Sequence, residues 1–139
     1  MRFVMVVATV GGVAGQGRAG FSDGSFESGT FSAYTTTGNP SVVGVNGPVI
    51  PTDGTLQARL VTGGATPAAI ETLLGLSSGS INSLGRGNAT DGSAIAQVIT
   101  AAAGDILTFQ WNFATNEFVN AIYDVSFFSV VPTSGPQFL

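Results

Sequence analysis

The ionisable equipment of this 139-residue chain is eight carboxylates, four arginines and two tyrosines; it has no histidine, lysine or cysteine. Two carboxylates stand out by their surroundings. Glu27 follows Phe26 in Phe21-Ser-Asp-Gly-Ser-Phe-Glu-Ser-Gly-Thr-Phe-Ser-Ala-Tyr34. Asp124 has a similar place in Ala121-Ile-Tyr-Asp-Val-Ser-Phe-Phe-Ser-Val-Val131. Each is an acid beside aromatic residues that a fold has to bury. Two carboxyls at a set separation across a cleft can hydrolyse a glycosidic bond. No other part of such a site accompanies these two, and no His, Cys or Lys is present as base, nucleophile or electrophile. The expectation is a protein without catalysis. The plain alternative for both acids is that they cap turns and face water.

What positions these residues is one domain of moderate size, long enough to bury a core. Hydrophobic residues make up 44% and charged residues 9%, against a charged share of about 25% in ordinary domains. Disorder needs the opposite balance. With 20 glycines and many Ser and Thr, the chain reads as β-rich with a nearly neutral, hydroxyl-covered surface. Such a surface repels its own copies weakly, so self-association is expected. Scattered Arg2, Arg18, Arg59 and Arg86 on a chain of net charge −4 cannot neutralise a phosphate backbone, which argues against nucleic acid. Without cysteine, disulfides and thiolate metal sites are excluded.

From Phe21 the punctuation is that of an all-β domain. Gly38-Asn-Pro40, Asn46-Gly-Pro48, Pro51-Thr-Asp-Gly54 and Asp91-Gly-Ser93 separate short apolar runs. Strands are predicted over 24–27, 34–37, 41–45, 56–62, 94–101, 106–113 and 121–131. The first and last of these segments are expected to pair and to close one interior, shared by Phe26 and Phe127. In Ile106-Leu-Thr-Phe-Gln-Trp-Asn-Phe113, Leu107, Phe109, Trp111 and Phe113 alternate with polar or smaller residues, as in a strand with one oily face. Trp111 is therefore assigned to the core, although Trp111, Tyr34 and Tyr123 are also the aromatics a sugar-binding face would use. One helical excursion is predicted at about 66–84: Thr66 as cap, Pro67 at the first helical position, Gly75 at the end, with Ile70, Leu73 and Leu74 as the buried stripe. A further turn is predicted over Ser78–Leu84. Asn88-Ala-Thr90 has the form of a glycosylation sequon.

The first twenty residues support two readings. Arg2, an apolar run and Gly17-Arg-Ala19 resemble a secretory signal too short to span a bilayer. Alternatively Phe3, Val4, Met5, Val6, Val7, Ala8 and Val10 form a β-branched strand buried on both faces. Such a strand could lie in a neighbouring subunit by strand donation, which makes these seven residues the candidate assembly segment.

Several stretches together resemble the secreted β-sandwich domains of bacterial PEP-CTERM proteins. They are Phe26-Glu-Ser-Gly-Thr-Phe-Ser-Ala-Tyr34, Pro51-Thr-Asp-Gly-Thr-Leu-Gln-Ala58, Ile70-Glu-Thr-Leu-Leu-Gly-Leu-Ser-Ser-Gly79, Gly92-Ser-Ala-Ile95 and Gly104-Asp-Ile-Leu-Thr-Phe-Gln-Trp-Asn-Phe-Ala-Thr-Asn-Glu117. The resemblance runs in order over residues 21–131. It implies a galactose-binding-like jelly-roll sandwich, a secreted or cell-surface location and no catalysis. It also implies a structural Ca²⁺ shared by the acid after the first-strand Phe and the acid of the last strand, here Glu27 and Asp124. Asp53, in the turn before a strand, completes the shell. Carboxylate and backbone oxygens suit that hard cation. A family member would continue past Pro132 into a Pro-Glu-Pro motif, a membrane helix and a basic end. Residues 132–139 carry none of these, so a processed or unanchored relative is expected.

Two function classes follow. One is a non-catalytic extracellular structural protein, a self-associating matrix or filament subunit. The other is a carbohydrate-binding module for extracellular polysaccharide, which rests on analogy of fold.

Overall fold

The computed structural model describes residues 2–11, 20–84, 87–101, 104–115 and 124–132. Among them the chain is mostly strands with one short helix. The elements are β1 (Arg2–Gly11), β2 (Thr35–Thr37), β3 (Ser41–Val43), β4 (Gln57–Arg59), α1 (Pro67–Leu74), β5 (Asp91–Thr100) and β6 (Val125–Pro132). Four strands form one sheet in the order β2-β5-β1-β6, and β3 and β4 form a separate antiparallel ribbon. β1 runs parallel to both its neighbours, with Met5 opposite Ala94 on one side and Phe127 on the other. β2 is antiparallel to β5 over three pairs, Thr35↔Ala96 to Thr37↔Ala94.

β5 is the buried spine. Gly92 to Gln97 and Ile99 are all buried, as befits a run of small and β-branched residues covered on both faces. On one face Ala94 and Ala96 meet α1, with Ile70 and Leu74 at 0% exposure and Leu76, Ile81 and Val131 around them. Phe127 and Val125 of β6 pack onto that same cluster. Residues of the opposite parity, Ser93, Ile95, Gln97 and Ile99, face the loops that precede β2 and β4–α1. Alternation of side chains across the strand makes this division.

α1 forms as its ends specify. Thr66 Oγ1 accepts from Ala69 N at 3.3 Å, and Gly75 closes the helix at φ 66°. The Leu76 and Gly75 amides donate to Glu71 O and Thr72 O, a Schellman arrangement that buries Leu76. The turn predicted after it is a 3-10 helix at Ile81–Ser83.

Several expectations are corrected. Residues 24–27 are turns, with Asp23 and Phe26 at positive φ, because hydrogen bonds Phe26 N to Asp23 O and Gly29 N to Phe26 O coil the segment on itself. Phe26 stacks on Tyr34 with centroids 5.2 Å apart and meets Phe31 edge-on. That cluster is separate from the one containing Phe127, so the two do not share one interior. The expected pairing of segment 24–27 with the last segment is therefore not made: β6 pairs with β1, and β2, the strand that follows residues 24–27, lies at the opposite edge of the sheet. Residues 106–113 form no strand. Trp111 is 67% exposed, so it is not a core residue. The oily alternation is real, but among the described residues no ladder covers it, and Phe109 alone finds a partner ring, Phe128, at 4.4 Å.

Candidate functional site

Glu27 is held by a turn 28 residues further along the chain. Its Oε1 accepts from Thr55 N and Leu56 N, each at 2.7 Å, and its Oε2 accepts from Thr55 Oγ1 at 2.9 Å. These bonds, the Leu56 amide foremost, lower its pKa below the ordinary 4.5. Gly54 permits the approach: at φ 73° a Cβ there would run into the Glu27 carboxylate. Glu27 is thus a turn cap. Asp53 is exposed in the same turn. Asp124 stands just before β6, where Thr115 Oγ1 donates to its Oδ2 at 3.3 Å. Among the described residues no three acidic side chains gather as a metal-binding group, so Glu27, Asp53 and Asp124 are not brought together. Glu117 and Tyr123 lie outside the described residues.

The assembly segment is placed by its backbone. Residues 2–11 are β1, bonded along ten positions to β5 and along eight to β6. That strand lies in the sheet of its own chain, and residues 12–19 lie outside the described residues.

The polar groups that organise the fold were not singled out by sequence. Gln97, 6% exposed, accepts from Ser22 N at 2.7 Å and donates to Ser22 O at 2.9 Å and Ala33 O at 2.8 Å. Ser93, fully buried, donates to Val61 O at 2.5 Å and accepts from Asn39 N at 2.9 Å. Gly38 (φ 79°) lies against the β5 backbone there, where a Cβ would stand 2.7 Å from Ser93 Cα. Buried Glu71 accepts from Gly79 N and Ile81 N, both at 3.0 Å, and so starts the 3-10 turn. Each of these side chains ties a distant loop to the sheet or helix. A signal was available for Gln97, a lone polar residue within an apolar run.

An open depression of about 500 Å³ lies between α1 and the β2–β5 pair, lined by Thr35, Leu73, Ala96, Gln97 and Val98 among others. No titratable side chain lines it, and the Gln97 amide there is already bonded. Large apolar side chains are exposed both there, at Val98 (71%), and elsewhere, at Ile106 (81%), Trp111 (67%), Val45 (67%) and Ile50 (64%). Among the described residues no helix is long and apolar enough to cross a membrane. No family model, curated protein or solved structure matches the chain.

Proposed function

We propose that this chain is a non-catalytic extracellular structural protein that associates with its own copies by exchanging β1. The observation that carries this reading is the position of β1. Its two partners in the sheet, β5 and β6, are the two strands furthest from it in sequence, and it lies parallel between them. Withdrawing it would leave a slot with two long unpaired edges, the arrangement that strand donation fills. The same slot accepts β1 of its own chain or of another. The choice between them is one of effective concentration.

A neutral surface with 9% charged residues supports the reading, since little repulsion opposes close packing of copies. Secretion, and the jelly-roll form of the sandwich, rest on the resemblance drawn from the sequence. The antiparallel β2–β5 and β3–β4 ladders suit that form. The parallel pairs made by β1 are those of an added strand. Calcium is not part of this proposal, because the Glu27 carboxylate already serves Thr55 and Leu56.

Light scattering over a concentration series tests it. The wild-type chain should grow in mass with concentration, and an excess of synthetic peptide of residues 2–11 should arrest that growth. Val6→Pro, which removes a ladder N–H in the middle of β1, should prevent it. A wild type that stays monomeric at millimolar concentration, or growth unaffected by both peptide and proline, would overturn the proposal.

A further inference from the structure

We propose that Asn46 is a site of spontaneous covalent modification, at which the Asn46–Gly47 step closes to a cyclic imide and reopens as isoaspartate or aspartate. The reaction needs a side-chain carboxamide, a following amide nitrogen with no side chain in the way, and water. Four Asx–Gly steps occur in the chain, at Asp23, Asn46, Asp53 and Asp91. The structure separates them. Gly92 is committed, its N–H donating to Ala65 O at 2.9 Å within β5. Gly54 lies against the Glu27 carboxylate. Asp23, like Asp53 and Asp91, offers a carboxylate, which resists attack by nitrogen and gains no charge from the change. Asn46 and Gly47 are both exposed, and nothing stands within 4 Å of where a Gly47 Cβ would be.

The turn around this pair leaves the reacting nitrogen unused. Asn46 N donates to Val49 O at 2.9 Å and Val49 N donates to Asn46 O at 3.1 Å, so Gly47 and Pro48 are the central residues of a hairpin turn. Gly47 takes φ 60°, the left-handed value that glycine supplies at the first central position. Neither bond of the turn uses the Gly47 N–H. The 46–49 bridge stands outside the named strands, and below it Gln57 Nε2 ties Gly44 O at 2.7 Å and Val49 O at 3.3 Å. The tip can therefore open without disturbing β5 or β1, which frees the Asn46 side chain to meet its neighbour. Gly47 N, having lost its proton to hydroxide, bonds to Asn46 Cγ, and Nδ2 leaves as ammonia. Water then splits the imide and returns the N–H to Gly47. Cleavage at Cγ gives aspartate; cleavage at the main-chain carbonyl leaves the chain running through Cγ as isoaspartate. The extra carbon does not fit a two-residue turn, so isoaspartate breaks the 46–49 bridge. Either product sets a carboxylate beside Val45 and Ile50, 67% and 64% exposed, in a stretch from 41 to 52 that otherwise carries no charge. The ribbon tip thus records the age of the molecule while the sheet stays intact, independently of strand exchange.

The folded full-length chain is incubated in mildly alkaline buffer and sampled by isoelectric focusing, ammonia release and peptide mass mapping. A species one charge more negative than the starting −4 should accumulate and map to Asn46 ahead of the six other asparagines. Its peptide should accept methyl groups from S-adenosylmethionine in the presence of an isoaspartyl methyltransferase. Unfolding in urea should speed the step by about tenfold, since two hydrogen bonds of modest net strength hold the turn closed. Asn46→Ser, at an exposed position, should abolish the acidic species. Hydrogen exchange of the β5 amides should be the same before and after the change. An Asn46 that stays intact in the folded chain and reacts only in urea overturns the assignment. So does an acidic species that forms undiminished in Asn46→Ser, or one that maps first to another asparagine. Loss of β5 protection in the product would overturn the confinement of the change to the ribbon tip.

Discussion

Replacing Gln97 with methionine isolates the amide that ties residues 22 and 33 to β5. The two side chains have similar volume, so packing changes little, whereas three hydrogen bonds disappear: from Ser22 N at 2.7 Å, to Ser22 O at 2.9 Å and to Ala33 O at 2.8 Å. At a net value of about 1 kcal/mol each the gross loss is about 3 kcal/mol. Ser22 is exposed, so its freed N–H and C=O recover water, whereas Ala33 is only half-open. The expected net loss is about 2 kcal/mol, or roughly 8 °C in Tm for a domain of this size. Urea and thermal unfolding measure the total, and hydrogen exchange locates it. The Ser22 amide should exchange faster while the amides of α1 keep their protection. Gln97→Glu sharpens the test. A carboxylate can still accept from Ser22 N, but it faces two carbonyl oxygens and must bind a proton to donate to them. Its deficit should therefore shrink as pH falls. A Gln97→Met protein within about 0.5 kcal/mol of wild type, with an unchanged Ser22 amide, would refute the reasoning, because the half-covered Ala33 carbonyl would then have lost its donor without cost.

Glu27 and Tyr34 give two further expectations. The Glu27 pKa is lowered in the folded chain, so its contribution is present above the ordinary 4.5 and is lost as pH falls through the folded value. The urea midpoint of wild type should therefore converge on that of Glu27→Gln as pH falls from 6 towards ~3. Parallel curves over that range would show that the carboxylate does not cap the Thr55–Leu56 turn. The Tyr34 phenol is raised from 10.0 to about 12, first by burial and then by the nearby Asp23 charge. A raised value means that its contribution is complete below 10.0 and is lost as pH climbs towards about 12. Phenolate absorbance in a Tyr123→Phe background should show this late titration, and an ordinary midpoint near 10.0 would contradict the packing of Tyr34 on Phe26.

The parts of the fold that were legible in the sequence are those whose signals are local. Thr66, Pro67 and Gly75 bracket α1, and Ile70 and Leu74 on its inner stripe are fully buried. The β5 run is apolar because both its faces are covered, and the 41–43 and 57–59 strands sit between glycine and proline turns as expected. Residues 24–27 misled because an apolar-polar alternation there is consistent with a strand or with successive tight turns. The choice went to turns once Phe26, Phe31 and Tyr34 packed on one another.

By itself the sequence determined the β-rich composition, the helix with its caps, and the want of any His, Lys or Cys for catalysis. Only the tertiary structure decided three other things: that Glu27 reaches Thr55 and Leu56, that Gln97 reaches back to Ser22 and Ala33, and that β1 lies between β5 and β6. It also decided that Trp111 faces water. The reason is physical. Alternation with period two says that the two sides of a segment differ, but not which side is covered or by what. The covering groups come from 28 to 75 residues away, and no local preference encodes where they land.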